Sequence, residues 1–378
     1  MAVGVLVGGQ GYDVVIVGAG VAGCATGYYL TRRGVRPLVV ERDALGSHAS
    51  GFALGGLLPT EGVFVAGNAY HPLTSIAFDL HKALHPLLHE ETGIATDFQM
   101  TVSLHLALTE EQEEEARRAL AWQTGHGFRV RWISAQEARE IEPRITPHLR
   151  GAVYNQDSAM VDPYKFVLAL VHAIEKAGGR LRHGEATGLV VEKGRVRGVR
   201  LRGQGTIPCE RVVLALGPWL GLAPWLGIPL PVRPLKGQIV RVRLPGPPLA
   251  AALWWGIAYA ASKPDGLLWV GTTEEDVGFD ERPTPEVRYA LLREALGVLP
   301  CLGEAQVVLQ TACLRPYAAD NLPIVGAAPG LEGAYVVGGA GRKGILVSTA
   351  LGKALADLIA TGATDIPIAP FGLDRFLT

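Results

Sequence analysis

Cysteine is scarce and scattered in this chain. The four present, Cys24, Cys209, Cys301 and Cys313, lie far apart and form no C-x-x-C pair, so neither a zinc cluster nor a disulfide framework is expected. A reducing, cytoplasmic setting is the default expectation. Charge is also thin. Asp, Glu, Lys and Arg make up 19 % of residues, below the roughly 25 % of an average globular chain. Thirty-five basic against 36 acidic side chains leave a formal net charge of −1, which provides no basic field for nucleic acid. With 48 % apolar residues, a disordered scaffold is excluded. The Gly-x-Ser-x-Gly of a serine hydrolase is missing, and so is any internal repeat. No stretch reads as a membrane span. The first thirty residues are apolar, with Asp13 their only charge, but they lack a basic n-region and glycines break them up.

The 378 residues suffice for two or three domains at about 150 residues each. The clearest signal is near the start. Asp13-Val-Val-Ile-Val17 reads as a buried strand, GAGVAG follows at 18–23, then a helical stretch from Cys24 to Arg33 ending at Gly34, then a second buried strand, Pro37-Leu-Val-Val-Glu41. This is the βαβ context that a dinucleotide fingerprint needs. Gly18 permits the tight turn, Gly20 lets the backbone approach a pyrophosphate at the helix N-terminus, and Gly23 allows close helix–strand packing. Glu41 sits where a carboxylate accepts the hydroxyls of an adenosine ribose. The unit does not choose between NAD and FAD, and Arg42 is compatible with adenine stacking or a 2′-phosphate.

A second glycine series, Gly339, Gly341 and Gly344, follows the apolar run 333–337 and precedes a helix over about 345–360. No strand ending in an acid comes after it, so it closes no second βαβ unit. A helix is expected over 74–91, strand over 96–108, capping boxes at Thr109–Gln112 and Ser134–Glu137, a helix over 163–178 and a hairpin at Lys193-Gly194. Strands dominate 231–314. The fold class expected is mixed α/β: a discontinuous Rossmann-type nucleotide-binding domain (12–92, 151–228, 315–366) with an antiparallel β-rich substrate domain (93–150, 229–314) inserted in two pieces.

His81, His85 and His89 share one helical face, but no Glu or Cys completes a ligand set. They are read as surface or half-buried side chains, and no metal site is expected. The glutamates of 110–115 read as a solvated helix face. Arg315, in Cys-Leu-Arg-Pro-Tyr, must find an anion or be exposed. Its planar fork suits a carboxylate, and a structural ion pair is the alternative.

Taken in order, six segments resemble the FAD-dependent amine oxidoreductases of the D-amino acid oxidase and glycine oxidase type. They are the fingerprint through Glu41-Arg42, Gly46–Leu57, Val213-Leu-Ala-Leu-Gly-Pro-Trp219, Pro231-Val-Arg-Pro-Leu-Lys-Gly-Gln238, Tyr259 through Glu274, and Leu314-Arg-Pro through Ile345. Ala340 stands where that family usually has histidine, and the loop before Leu57 differs from glycine oxidases.

The resemblance implies FAD, bound by Gly18, Gly20, Val21, Ala22, Gly23, Glu41, Arg42, His48, Ala49, Ser50, Gly55, Gly56, Leu57, Thr187, Ala215, Gly217, Trp219, Gly339, Gly341, Arg342, Lys343, Gly344 and Ile345. It implies a catalytic set of Tyr259, Arg315 and Arg342, with Arg315 on the substrate carboxylate and the amides of 341–345 stabilising negative charge on the flavin. The activity implied is oxidation of a small amino acid, with dioxygen or another acceptor taking the electrons. The rivals are a same-fold dehydrogenase that passes electrons to a quinone or carrier, a secondary-amine oxidase, an assembly subunit without turnover and an NAD-dependent dehydrogenase. A homo-oligomer stays open.

Overall fold

Apolar runs flanked by glycine turns become the centre of a parallel sheet. Val14–Val17 (β1) is buried throughout, as a strand covered on both faces must be. Helix α1 (Val21–Arg32) and strand β2 (Pro37–Glu41) complete the unit. The computed structural model describes residues 12–60 and 70–377.

Three sheets are present among the described residues. The first has six strands in the order Ile324–Ala327, Ala334–Gly338, Val212–Leu214, β1, β2, Arg180–His183. All its pairs are parallel except that of the first two strands. The chain leaves β1 for β2 on one side and returns to Val212–Leu214 on the other. That reversal opens a crevice at the carboxyl ends of the strands, where ligands bind in such sheets. The second sheet, of nine strands, includes Val232–Arg243, Ala252–Trp255, Ala258–Ser262, Leu268–Gly271 and Gln306–Ala318. The third is a three-stranded antiparallel sheet over 186–208 that contains the Lys193-Gly194 hairpin.

Three placements differ from the sequence expectation. Gly151–Met160, grouped there with the nucleotide-binding segments, pairs with Gln99–Ala107 inside the nine-stranded sheet. Gln306–Ala318 stays in that sheet past residue 315, because it pairs with Val232–Arg243 along nearly its whole length. One pair in that sheet, Ala252–Trp255 with Gln99–Ala107, is parallel. In addition, the last helix, Gly344–Thr361, is long and apolar enough to cross a membrane, but most of it is buried inside the protein.

The helix Tyr70–Thr92 runs on through Pro86. Two of its histidines are not at the surface: His81 and His85 are buried, and only His89 is exposed. No group of acids, cysteines and histidines able to hold a metal occurs among the described residues. Instead the pair forms a relay of hydrogen bonds. His81 Nε2 lies 3.1 and 3.0 Å from the Ile345 and Leu346 carbonyls. Carbonyls only accept, so Nε2 carries the proton and His81 Nδ1 accepts from His85 Nε2 at 2.9 Å. His85 Nδ1 then accepts from the Thr96 hydroxyl at 2.7 Å. Both rings are neutral. Burial pulls His81 down to about 4 and His85 down to about 2.

An unfolded chain takes up these protons near the ordinary value of 6.5, whereas the folded chain resists. Stability therefore falls with decreasing pH below that value, by about 1.4 kcal/mol per pH unit for each ring. Melting temperatures should drop on going from about pH 7 to about pH 5, and the drop should shrink when both histidines are replaced by glutamine. An unchanged slope in that variant would show that other groups set the acid limit.

Candidate active site

The crevice at the strand ends opens into a cavity of about 430 Å³. Its floor is the turn after β1. Gly18 has φ +108°, and a Cβ there would lie 2.3 Å from the Ala215 carbonyl, so the turn can pass the neighbouring strand only as glycine. At Gly20 the wall is open, and a Cβ would meet only Ser50 Oγ, at 3.3 Å. The first turn of α1 holds no acidic residue, and its N-cap, Gly20, offers no side-chain cap. The positive helix end is thus left for an anion. Glu41 Oε2 accepts from the Ala19 amide at 2.8 Å and Oε1 from the Asp43 amide at 2.9 Å, which fixes the carboxylate at the end of β2 with accepting capacity to spare. On the far wall the buried Trp254 Nε1 donates to nothing among the described residues. A dinucleotide with a phosphate at the turn fits this shape and these groups.

Most of the expected residues meet on this cavity. Gly18, Gly20, Val21, Ala22, Glu41, Arg42, His48, Ala49, Ser50, Gly55, Gly56, Ala215, Gly217, Trp219, Gly341, Arg342, Lys343, Gly344 and Ile345 line it, together with Tyr259 and Arg315. Four lie elsewhere. A Cβ on Gly23 would sit 2.1 Å from the Gly18 carbonyl, so Gly23 serves helix–strand contact. Leu57 is fully buried in the core. Gly339 packs on Ala318 and Ile324. Thr187 donates to Arg200 within the three-stranded sheet. Gly184, Glu185 and Ala186 reach the cavity instead, just past the strand Arg180–His183. The rule that ligands gather at strand carboxyl ends could have found them. Gly237, Trp254, Ile257, Thr272 and Cys313 also line the wall and were not anticipated from sequence.

At one end, aromatic and charged groups interlock. Arg42 lies over the Trp219 ring, 4.1 Å from its centre. Phe279 stacks on the same ring, and the His48 imidazole meets it edge-on. His48 joins Asp43, 2.9 Å away, to Glu281, 3.1 Å away, so both ring nitrogens are engaged by carboxylates.

At the other end stands Arg315. It donates to the Thr273 carbonyl at 3.0 Å and to Thr272 Oγ1 at 2.6 Å. No carboxylate among the described residues pairs with it, so the structural ion pair that was the alternative is not what holds it. Gly237 faces its guanidinium, and a Cβ there would come within 2.2 Å of both terminal nitrogens. The segment that carries Thr272 and Thr273 is itself clamped. Lys236 and Glu275 exchange backbone hydrogen bonds of 2.9 Å. Gln238 donates its amide to Thr273 Oγ1 at 3.1 Å and its side chain to Glu275 at 3.0 Å. Beside Arg315, the Tyr259 hydroxyl is buried, and burial pushes its phenol well above the ordinary range despite the opposing Arg315 charge. The phenol therefore stays protonated and serves as a donor, not a base. Lys263, which burial pulls down to about 8, ties the loop carbonyl of Leu54 at 2.9 Å to that of Val161 at 2.8 Å. Arg342 is held differently, 2.5 Å from Glu274 Oε1.

Comparison with known proteins bears on this geometry. The family model described as FAD dependent oxidoreductase matches residues 13–358. The chain belongs to that family. It is similar to a glycine oxidase of Geobacillus kaustophilus (strain HTA426), 34 % identical over 97 % of both chains. It is also similar to the hydrogen cyanide synthase subunit HcnC of Pseudomonas aeruginosa (strain PAO1), 30 % identical over 97 % of this chain and 96 % of that one. The solved structure of glycine oxidase from Geobacillus kaustophilus superposes with a TM-score of 0.93 at 32 % identity, covering 97 % of this chain and 99 % of the other. The chain is thus an FAD-dependent enzyme of glycine oxidase-like fold.

In a family member built this way, a side chain at Gly20 enters the cavity without disturbing the core. Gly20→Val should fold yet purify colourless, whereas wild type should release its flavin on denaturation. A variant that kept a full flavin complement would place the phosphates elsewhere.

Proposed function

We propose that the protein oxidatively deaminates a small amino acid, such as glycine, sarcosine or a small D-amino acid, giving a 2-oxo acid and ammonia or an amine. The supporting observation is Arg315, a half-buried guanidinium on the cavity wall with no carboxylate of its own and a neutral phenol beside it. The relatives named glycine oxidase agree with a substrate of this class.

Arg315 has N–H groups to spare beyond its two bonds to Thr272 and Thr273, and a carboxylate can take two of them side by side. Tyr259 adds a hydroxyl donor. Together they fix the acid, and with it the direction of the Cα–H bond. When bound, FAD supplies the two-electron acceptor. The catalytic set provides no base: Tyr259 stays protonated, and Arg315 and Arg342 are cations. The substrate amine therefore arrives neutral or gives its proton to water. Loss of the Cα hydrogen with its electron pair, and of a proton from nitrogen, leaves an imine, which water hydrolyses to the oxo acid and ammonia or an amine. Dioxygen is the proposed acceptor, and one peroxide per amine released would accord with it.

Removing one member of a buried charge pair costs a few kcal/mol, or roughly two to three orders of magnitude in rate or affinity. Arg315→Ala should stay yellow and lose about that much kcat/KM on amino acids. Arg315→Lys should recover only part, since a point charge does not reproduce the fork. Amines without a carboxylate should be poor substrates for wild type and little affected by either change. Wild-type turnover of glycine by Arg315→Ala would refute the proposal.

A further inference from the structure

Two arginines face the same cavity, and three consecutive residues hold them. Thr272 and Thr273 give Arg315 neutral acceptors, whereas Glu274 gives Arg342 a carboxylate at 2.5 Å. The clamp of Glu275 on Lys236 and Gln238 fixes the backbone immediately after Glu274, so the acid is presented to Arg342 by a held segment. Of the two arginines, one is then without a carboxylate and the other is neutralised by one, while Lys343 beside Arg342 donates to the Leu58 carbonyl.

Resting on the amino acid reading above, we propose that Glu274 is a specificity-determining residue. By neutralising Arg342, it restricts the cavity to substrates with one carboxylate and turns away those with a second. A second carboxylate approaching Arg342 would have to displace Glu274 or lie beside a like charge, and like-charge juxtaposition is strongly penalised at a recognition site. The matched pair that isolates this effect is glycolate against diglycolate. Both present a carboxymethyl group for Arg315, neither carries an oxidisable amine, and only diglycolate has a second acid.

The test titrates each acid into flavin-loaded protein and reads dissociation constants from the perturbed visible spectrum. Wild type should bind glycolate at least about ten-fold better than diglycolate, and Glu274→Gln should narrow or invert that ratio by about ten-fold. Glu274→Asp, which keeps the charge, should resemble wild type. Adding Arg342→Gln to Glu274→Gln should abolish the gained diglycolate binding, because Arg342 is the group released. The pair is partly exposed, at 41 % and 31 % for the two side chains, and retained flavin in each variant checks folding. An unchanged ratio in Glu274→Gln, with glycolate still bound, overturns the specificity role and leaves the amino acid reading standing. Wild type that binds neither acid overturns both.

Discussion

The Arg315 guanidinium donates to a backbone carbonyl and a hydroxyl, with its charge left unmatched by any carboxylate among the described residues. Burying a cation this way is costly unless an anion arrives, and the surrounding residues keep one from being supplied internally. Gly237 leaves room for the fork, the Thr272–Glu275 segment is clamped to the strand 232–243, and Tyr259 is held neutral by burial. The acids that follow Thr272 and Thr273 in the chain are already engaged. Glu274 is on Arg342, and Glu275 is on Gln238 and Lys236. With these carboxylates committed to other partners, the proposed anion for Arg315 is a carboxylate from solution.

The cofactor end follows from sheet topology. The reversal of strand order at β1 creates the crevice, and Gly18 lets the turn pass within contact of Ala215. The last helix meets the same crevice from the other side. Its first residues line the cavity, and the carbonyls of Ile345 and Leu346 are tied to the histidine relay behind it. The relay thus ties the helix Tyr70–Thr92 to the start of the last helix, which lines the cavity.

What could be read in the sequence was local. The βαβ unit was legible because its glycines, strands and acid fall within about thirty residues, where each spacing has one steric meaning. Arg315, Tyr259 and Arg342 were legible through resemblance, and the structure brings them to one cavity. The Arg342–Glu274 pair was hidden because its members stand 68 residues apart. The histidine relay was hidden because its acceptors lie 264 and 265 residues away. Regular spacing on a helix does not reveal whether the face is buried. Sheet membership failed at Gly151–Met160, because the residue pattern of a strand does not say which sheet it joins.

The central claim is that Arg315 receives the substrate acid. A crystal structure of the flavin-loaded protein with glycolate tests it most directly. The account predicts both carboxylate oxygens on the Arg315 guanidinium, with the Tyr259 hydroxyl in hydrogen-bond contact. Glycolate seated on Arg342 with Arg315 unliganded, or a cavity that takes no acid at saturating glycolate, would contradict it.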